Sequence, residues 1–301
     1  MAGEVLYFVS DTHLGDGSGA DQFRYPDQLL DLLDRIEAEP AAHLVLLGDF
    51  LELWACPLEG ILLKYETILR AILRLAERHQ VTYVVGNHDC LPWYQYLGAR
   101  LGSIRITETF EYGRGSLVAV HGHQFDPLNR VIVEEDGDIK PPWTRQLVRL
   151  LGILQRIGGR STGEAISGLG HWLGRLISGE AEADGELPLP LIRLIRHLLE
   201  RQAPGERGYP EGESWYEQGA FRYMRAGARY VLMGHTHHPV VRRYGGRQYV
   251  NTGSWVWERY PPTYARFAGG RLELLEALEH RPYVPERYGL GETGLEAPVP
   301  L

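Results

Sequence analysis

Five short runs gather side chains able to hold metal ions: Asp11-Thr12-His13, Gly48-Asp49, Gly86-Asn87-His88-Asp89, His121-Gly122-His123 and Gly234-His235-Thr236-His237-His238. Seven of the 12 histidines fall in them. Carboxylate, carboxamide and imidazole donors without a thiolate suit Mn2+, Fe2+, Co2+, Ni2+ or Zn2+. Asp11, His13, Asp49, Asn87, His121, His235 and His237 make a set too rich for one ion. Two divalent ions sharing a bridging carboxylate would use them well. Two ions roughly 3.5–4 Å apart are the arrangement that activates a water and clamps a phosphoryl group.

Each run follows an apolar stretch that reads as a strand. Glu4–Ser10, His43–Asp49 and Val81–Asn87 are apolar runs typical of buried strands. Ile104–Tyr112 and Ser116–His121 also read as strands. From Arg229 the chain is strand-rich, with Gly245-Gly246 and Gly269-Gly270 as hairpin turns. Helical periodicity spans Gln22–Glu39 and Ile61–His79. Repeated strand–helix units predict an α/β fold with a parallel or mixed sheet covered by helices. Sites in such folds collect outside the carboxyl ends of the strands. Residues i and i+2 of an extended chain project the same way, so Asp11 and His13 reach one point, as do His235 and His237. Gly48, Gly86 and Gly234 let the backbone approach closely.

A stretch from Gln124 to Ala228 is too long for a simple loop. It holds helical patterns at Trp143–Ile157, Ala165–Ile177 and Leu189–Gln202. The expected organisation is a core of residues 1–123 and 229–280, an inserted helical cap of 124–228, and a Pro/Gly-rich surface tail of 281–301. The cap leaves after His121 and returns before His235, so it should stand beside the metal rim as a lid or pocket wall.

The ordered blocks D-x-H, GD, GNHD, H and GHTH resemble the signature of calcineurin-like metallophosphoesterases. They are carried here by Asp11/His13, Gly48/Asp49, Gly86–Asp89, His121 and Gly234–His237. The resemblance implies a four-layer α-β-β-α sandwich with two central mixed sheets. It implies that Asp11, His13 and His237 hold one metal and that Asn87, His121 and His235 hold the other, with Asp49 bridging. His88 would face the scissile phosphate and help the leaving group depart, with Asp89 orienting its imidazole. The implied chemistry is in-line attack by a metal-bridging hydroxide.

Gly48–Trp54 (GDFLELW), His121–Asp126 (HGHQFD) and the insertion look like the UDP-2,3-diacylglucosamine diphosphatase branch of that family. That branch releases UMP and a lipid monophosphate at the membrane surface. Members commonly carry Arg and Asp where this chain has His88 and His123. The expected substrate is a phosphoester or nucleotide diphosphate, lipid-linked in this branch; the alternatives are a general phosphodiesterase or phosphatase on soluble nucleotides, and behind it a nuclease or a non-catalytic metal-binding scaffold. His123, Arg193 and Arg196 are candidate substrate-binding residues. Mn2+ is the expected ion.

Bulk properties narrow the field. The chain has 301 residues, 44% hydrophobic and 23% charged, with a net charge of −8. No basic stripe marks a nucleic-acid groove, so no nucleic-acid partner is expected. Cys56 and Cys90 are the only cysteines, which gives no disulfide framework and fits a reducing cytoplasm. The apolar run Val5–Val9 is too short for a signal peptide and reads as a strand. No apolar segment is long enough to span a bilayer; the resemblance to the lipid-linked branch implies peripheral contact with the inner membrane face. Cys90 reads as a small buried residue, and Asn251–Trp255 (NTGSW) as packing near the site.

Overall fold

The computed structural model describes residues 4–89, 100–126, 129, 132–133, 139–140, 215–256 and 260–288. The first half runs β1 (Val5–Val9), α1 (Pro26–Glu37), β2 (Ala42–Leu47), α2 (Leu58–Lys64), α3 (Glu66–Arg78), β3 (Gln80–Val84), β4 (Arg100–Leu101) and β5 (Ile104–Thr107). It continues with β6 (Thr109–Tyr112), β7 (Leu117–Val120), β8 (Ile132–Val133), β9 (Ile139–Lys140) and α4 (Trp215–Arg225). The last third is β10 (Tyr230–Met233), β11 (Val240–Tyr244), β12 (Arg247–Asn251), β13 (Thr263–Ala268), β14 (Arg271–Glu276) and β15 (Arg281–Pro282).

Two mixed sheets carry the fold. One has the order β15-β14-β13-β1-β2-β3-β5-β4, the other β11-β12-β10-β7-β6. The β1–β2, β2–β3 and β3–β5 pairs are parallel, as are β7–β10 and β10–β12. Both faces of the central strands are buried, and side chains still alternate between them. Leu6 and Phe8 of β1, with Val45 and Leu47 of β2, pack against Phe110, Leu117, Ala119 and Leu232 of the second sheet. Tyr7 and Val9, with Leu44 and Leu46, pack instead beneath Leu29, Leu32, Leu33 and Ile36 of α1 and Ile68, Ile72 and Leu75 of α3. On the far side, Val118, Val120, Val231 and Met233 pack against Ala220, Phe221 and Met224 of α4. The layers are therefore helix, sheet, sheet, helix, as the sequence implies.

Three element boundaries differ from the sequence reading, each for a local reason. Helix α1 starts at Pro26, four residues later than the periodicity suggests, because proline suits the first helical turn where no N–H is needed. The single helix expected over Ile61–His79 is two. The chain bends at Tyr65 (φ −114°, ψ 29°), whose hydroxyl donates to Asp21 Oδ2 at 2.6 Å. The strand expected over Ile104–Tyr112 breaks at Glu108, and its halves join different sheets. Thr107 Oγ1 donates to Thr109 O at 2.9 Å and stabilises that crossing.

Within the stretch 124–228, helix α4 lies on the second sheet. The helical patterns at Trp143–Ile157, Ala165–Ile177 and Leu189–Gln202 lie outside the described residues, as do Arg193, Arg196 and Cys90. At the start of the expected tail, Arg281–Pro282 pairs antiparallel with β14. Among the described residues, no helix is long and apolar enough to cross a membrane.

Candidate metal centre

The carboxyl ends of β1, β2, β3, β7 and β10 meet along one rim, where the two sheets abut. The connection after β1 runs beside the connection after β2. Asp11 N donates to Gly48 O, His13 N to Asp49 O and Leu14 N to Phe50 O, at 3.1, 3.0 and 2.9 Å. The second sheet is tied in by Gly234 N to His121 O at 2.9 Å and Trp255 N to Asp11 O at 3.0 Å.

The side chains converge, but not through an extended backbone. Strands β1 and β10 end at Val9 and Met233. Asp11, His13, Asp49, His235 and His237 then adopt φ values of 52°, 46°, 50°, 70° and 59°. These left-handed residues turn the side chains inward, in place of the i, i+2 alternation expected from sequence. Such conformations cost of order 1–3 kcal/mol each and cluster at functional sites. The glycines serve close approach. A Cβ at Gly86 would collide with the Asp49 carboxylate and amide, and one at Gly234 with the Asp11 carboxylate.

Two donor groups share no residue. Asp11, His13 and His237 form one; Asp49, His121 and His235 form the other; His13, Glu52 and His88 form a third that overlaps the first, each with ligand atoms within 4.8 Å of one another. His13 Nε2 and His237 Nε2 face each other at 3.1 Å, and Asp11 Oδ1 lies 3.3 Å from His237 Nε2. Asp49 Oδ2 lies between the groups, 3.1 Å from His121 Nε2 and 3.9 Å from His13 Nε2. Asn87 is buried beside them, and the next amide, His88 N, donates to Asp49 Oδ1 at 2.7 Å. His235 N donates to both Asp11 oxygens.

Burial alone would neutralise these groups, and their mutual charges override it. For Asp11, desolvation is outweighed by the charge of His121 and the hydrogen bond of His237, so its carboxyl sits below the usual range. Asp49 is held well below it by His121 and His88. Burial pulls His13 and His121 down. The bond and charge of Glu52 nevertheless lift His13 to about 9, and the charges of Asp49 and Asp11 lift His121 to about 10. Two protonated imidazoles thus balance buried carboxylates, which is positive charge that cations can supply instead. His121 Nε2 lies 3.1 Å from Asp49 Oδ2 and 4.0 Å from Asp11 Oδ1, and makes no hydrogen bond among the described residues. The oxygen and imidazole donors fit divalent cations.

The ring nitrogens turned away from the groups are also held. His13 Nδ1 donates to Glu52 Oε2 at 2.8 Å, His121 Nδ1 to Leu47 O at 2.9 Å, and His235 Nε2 to Asp126 Oδ2 at 3.0 Å. Carboxylate or carbonyl partners of this kind fix tautomer and orientation in metal sites.

Other candidates are placed differently from expectation. Asp89 does not bond the His88 imidazole. Its buried carboxylate accepts from Phe50 N, Tyr83 Oη and Gly86 N at 2.9, 2.6 and 2.7 Å, and burial together with the charge of Asp49 raises it to about 6. Asp89 thus braces the turns that carry Asp49 and Asn87. Glu52 takes the His88 ring instead, and Trp54 stacks on it with centroids 3.9 Å apart. His123 is buried against His121 with Nδ1 unpartnered among the described residues. Burial, then the charges of His121 and His235, push it well below its usual value, so it is neutral. His238 packs on Tyr260, away from both donor groups. In the NTGSW run, Asn251 Nδ2 donates to Gly234 O at 2.6 Å and Trp255 is fully buried, which is the packing role read from sequence.

Sequence reasoning missed Glu52, Trp54 and Asp126 as site residues. They lie three and five residues beyond Asp49 and five beyond His121, and only local spacing hinted at them.

The family model for calcineurin-like phosphoesterases matches residues 5–239. No curated protein matches. Similar solved structures include YfcE, a phosphoesterase from E. coli, at 14% identity over 93% of this chain and 97% of that one, TM-score 0.42. A dimetal phosphatase from Danio rerio is 14% identical over 91% and 96%, TM-score 0.46. Vps29 from Entamoeba histolytica is 15% identical over 90% and 91%, TM-score 0.37. The chain belongs to the calcineurin-like phosphoesterase family and is a metal-dependent hydrolase of phosphoesters.

Proposed function

We propose that the chain hydrolyses a diphosphate or phosphodiester bond at a dinuclear centre, with UDP-2,3-diacylglucosamine as the first substrate to test. Asp49 carries this reading, because one carboxylate oxygen lies between the two donor groups. Asp11, His13 and His237 would hold one ion; Asn87, His121 and His235 the other. Mn2+ suits these donors. Bound there, the ions would supply an activated water and charge stabilisation for the phosphoryl group.

The chain's own residues do the rest. Asp11 and Asp49 are fixed through the amides of His235 and His88. His88 would pass a proton from Nε2 to the leaving oxygen, while its Nδ1–H stays on Glu52. His123, neutral and buried beside His121, lines the same wall.

The GDFLELW and HGHQFD runs support the lipid-linked substrate. Of the stretch 124–228, the part ahead of α4 would then form a cap over the rim, while α4 packs on the second sheet of a core of 1–123 and 229–280; of the tail 281–301, Arg281–Pro282 pairs with β14. Arg193 and Arg196 would meet phosphate or headgroup, and the protein would work at the cytoplasmic membrane face. His88 and His123, where that branch carries Arg and Asp, favour a second reading, a soluble nucleotide phosphodiester.

The test is UMP release from UDP-2,3-diacylglucosamine by Mn2+-loaded protein, with His88→Ala as control. Release that the variant loses supports the first reading. No release, from protein that still cleaves bis-p-nitrophenyl phosphate, rejects the lipid substrate and leaves the second.

A further inference from the structure

Two tryptophans near the rim are buried, and their ring nitrogens fare differently. Trp255 belongs to the apolar cluster beneath α1 and α3, and its Nε1–H donates to Thr263 O at 3.1 Å. Trp54 is 4% exposed, yet among the described residues it joins none of the three apolar clusters. Its buried Nε1–H has no acceptor there either. An indole nitrogen only donates, so no change of tautomer can satisfy it. A buried donor left unpaired costs stability, and buried indoles normally find a partner. An orphan of this kind beside a reaction centre points to a partner that arrives with the substrate.

Stacking places the indole. Trp54 lies on His88 with centroids 3.9 Å apart and planes 18° from parallel. An indole N–H lies in its own ring plane, so this donor works in a layer next to that of the imidazole. His88 is itself held, by Glu52 at its Nδ1 and by Asp49 Oδ1 at its amide. In the function proposed above, His88 Nε2 meets the leaving oxygen. The atoms bonded to that oxygen then stand beside the indole. In a diphosphate they are a second phosphoryl group, whose charged oxygens accept N–H bonds well. In a simple diester they are carbon, which accepts none.

We propose that Trp54 Nε1–H binds the departing phosphoryl group of a diphosphate, so that this site selects diphosphates over simple diesters. The inference rests on the function proposed above and names its substrate class. The indole then has two tasks: its face holds the His88 ring, and its edge reads the group that leaves.

The test compares the non-hydrolysable α,β-methylene-ADP with AMP, which lacks the second phosphoryl group. Both are titrated as competitive inhibitors of bis-p-nitrophenyl phosphate hydrolysis, with full-length parent and with Trp54→Phe, which keeps a ring beside His88 but has no N–H. Relative to AMP, the variant should bind α,β-methylene-ADP about tenfold more weakly than the parent does, the usual loss for a hydrogen bond to a charged group. In the Zn2+-loaded parent, the Trp54 indole N–H resonance should move downfield with α,β-methylene-ADP and much less with AMP. That resonance is assigned by its absence from Trp54→Phe, or from Trp54→Tyr if thermal melting shows Trp54→Phe to be unfolded.

An unchanged ratio of the two inhibition constants, or an indole resonance that ignores α,β-methylene-ADP, overturns the proposal. Full kcat in His88→Ala overturns the leaving-group role of His88 instead, while the indole resonance still reports whether Trp54 takes a phosphoryl oxygen.

Discussion

Trp54 lies flat on His88, with ring centroids 3.9 Å apart and planes 18° from parallel. The indole is 4% exposed, so it is a fixed wall rather than a mobile cover. Removing it frees the imidazole to tilt, and a misplacement near 1 Å can cost up to about 100-fold in rate. Trp54→Ala should lower kcat at least tenfold with two metal equivalents retained, and Trp54→Phe should recover most of it. A Trp54→Ala enzyme with normal kcat at saturating metal would remove the indole from the account.

Asp49 belongs with His121 and His235, and its Oδ2 also lies 3.9 Å from His13 Nε2 of the other donor group. Asp49→Ala should abolish activity and lower the metal content below two equivalents, measured by elemental analysis after desalting. Two full equivalents bound to that variant would contradict the bridging role.

Gly234 has no room for a methyl group, because a Cβ there meets the Asp11 carboxylate and the Ser10 hydroxyl. Gly234→Ala should destabilise the fold by about 1–3 kcal/mol, the usual range for overpacking, and weaken metal binding together with it. Paired melting and metal titrations check this. A loss of stability without any loss of affinity would separate the glycine from the site.

His43 sits between the sheets, bonded to Thr82 Oγ1 at 2.8 Å and edge-on to Phe110. Burial, then the charge of Arg105, pushes its imidazole down to about 4. Unfolded histidine titrates near 6.5, so the native state binds fewer protons between these values. Its contribution is complete above pH 6.5 and is lost as pH falls toward 4, by roughly 3 kcal/mol. Denaturant melts of EDTA-treated protein at pH 7 and pH 4.5 should show a smaller acid penalty in His43→Gln than in the parent. Equal penalties would mean that the acid loss comes from other groups.

The donor set was legible because each ligand sits in a short motif at a strand end, and buried strands announce themselves as apolar runs. The two-sheet core was less so. Ile104–Tyr112 is one apolar pattern in sequence, and only packing assigns its halves to different sheets. The backbone at Asp11, His13, Asp49, His235 and His237 was misread, since nothing in a D-x-H or H-x-H string distinguishes an extended chain from a left-handed one. The partner of His88 was misread for a related reason. Sequence neighbours suggested Asp89, but the turn sends that carboxylate toward Phe50, Tyr83 and Gly86, and the ring meets Glu52 from another strand end.

Asp126 ends the described run 100–126, and Tyr216 lies at the start of the described run 215–256. Tyr216 donates to Asp126 Oδ2 at 3.3 Å, and that same oxygen accepts from His235. The point of departure and the point of return are thus stitched together on the core itself. Closing a loop whose ends already meet costs little extra entropy as the loop lengthens. The core can therefore accept intervening segments of very different size, and substrate range can diversify by exchange of that segment while the hydrolytic chemistry stays fixed.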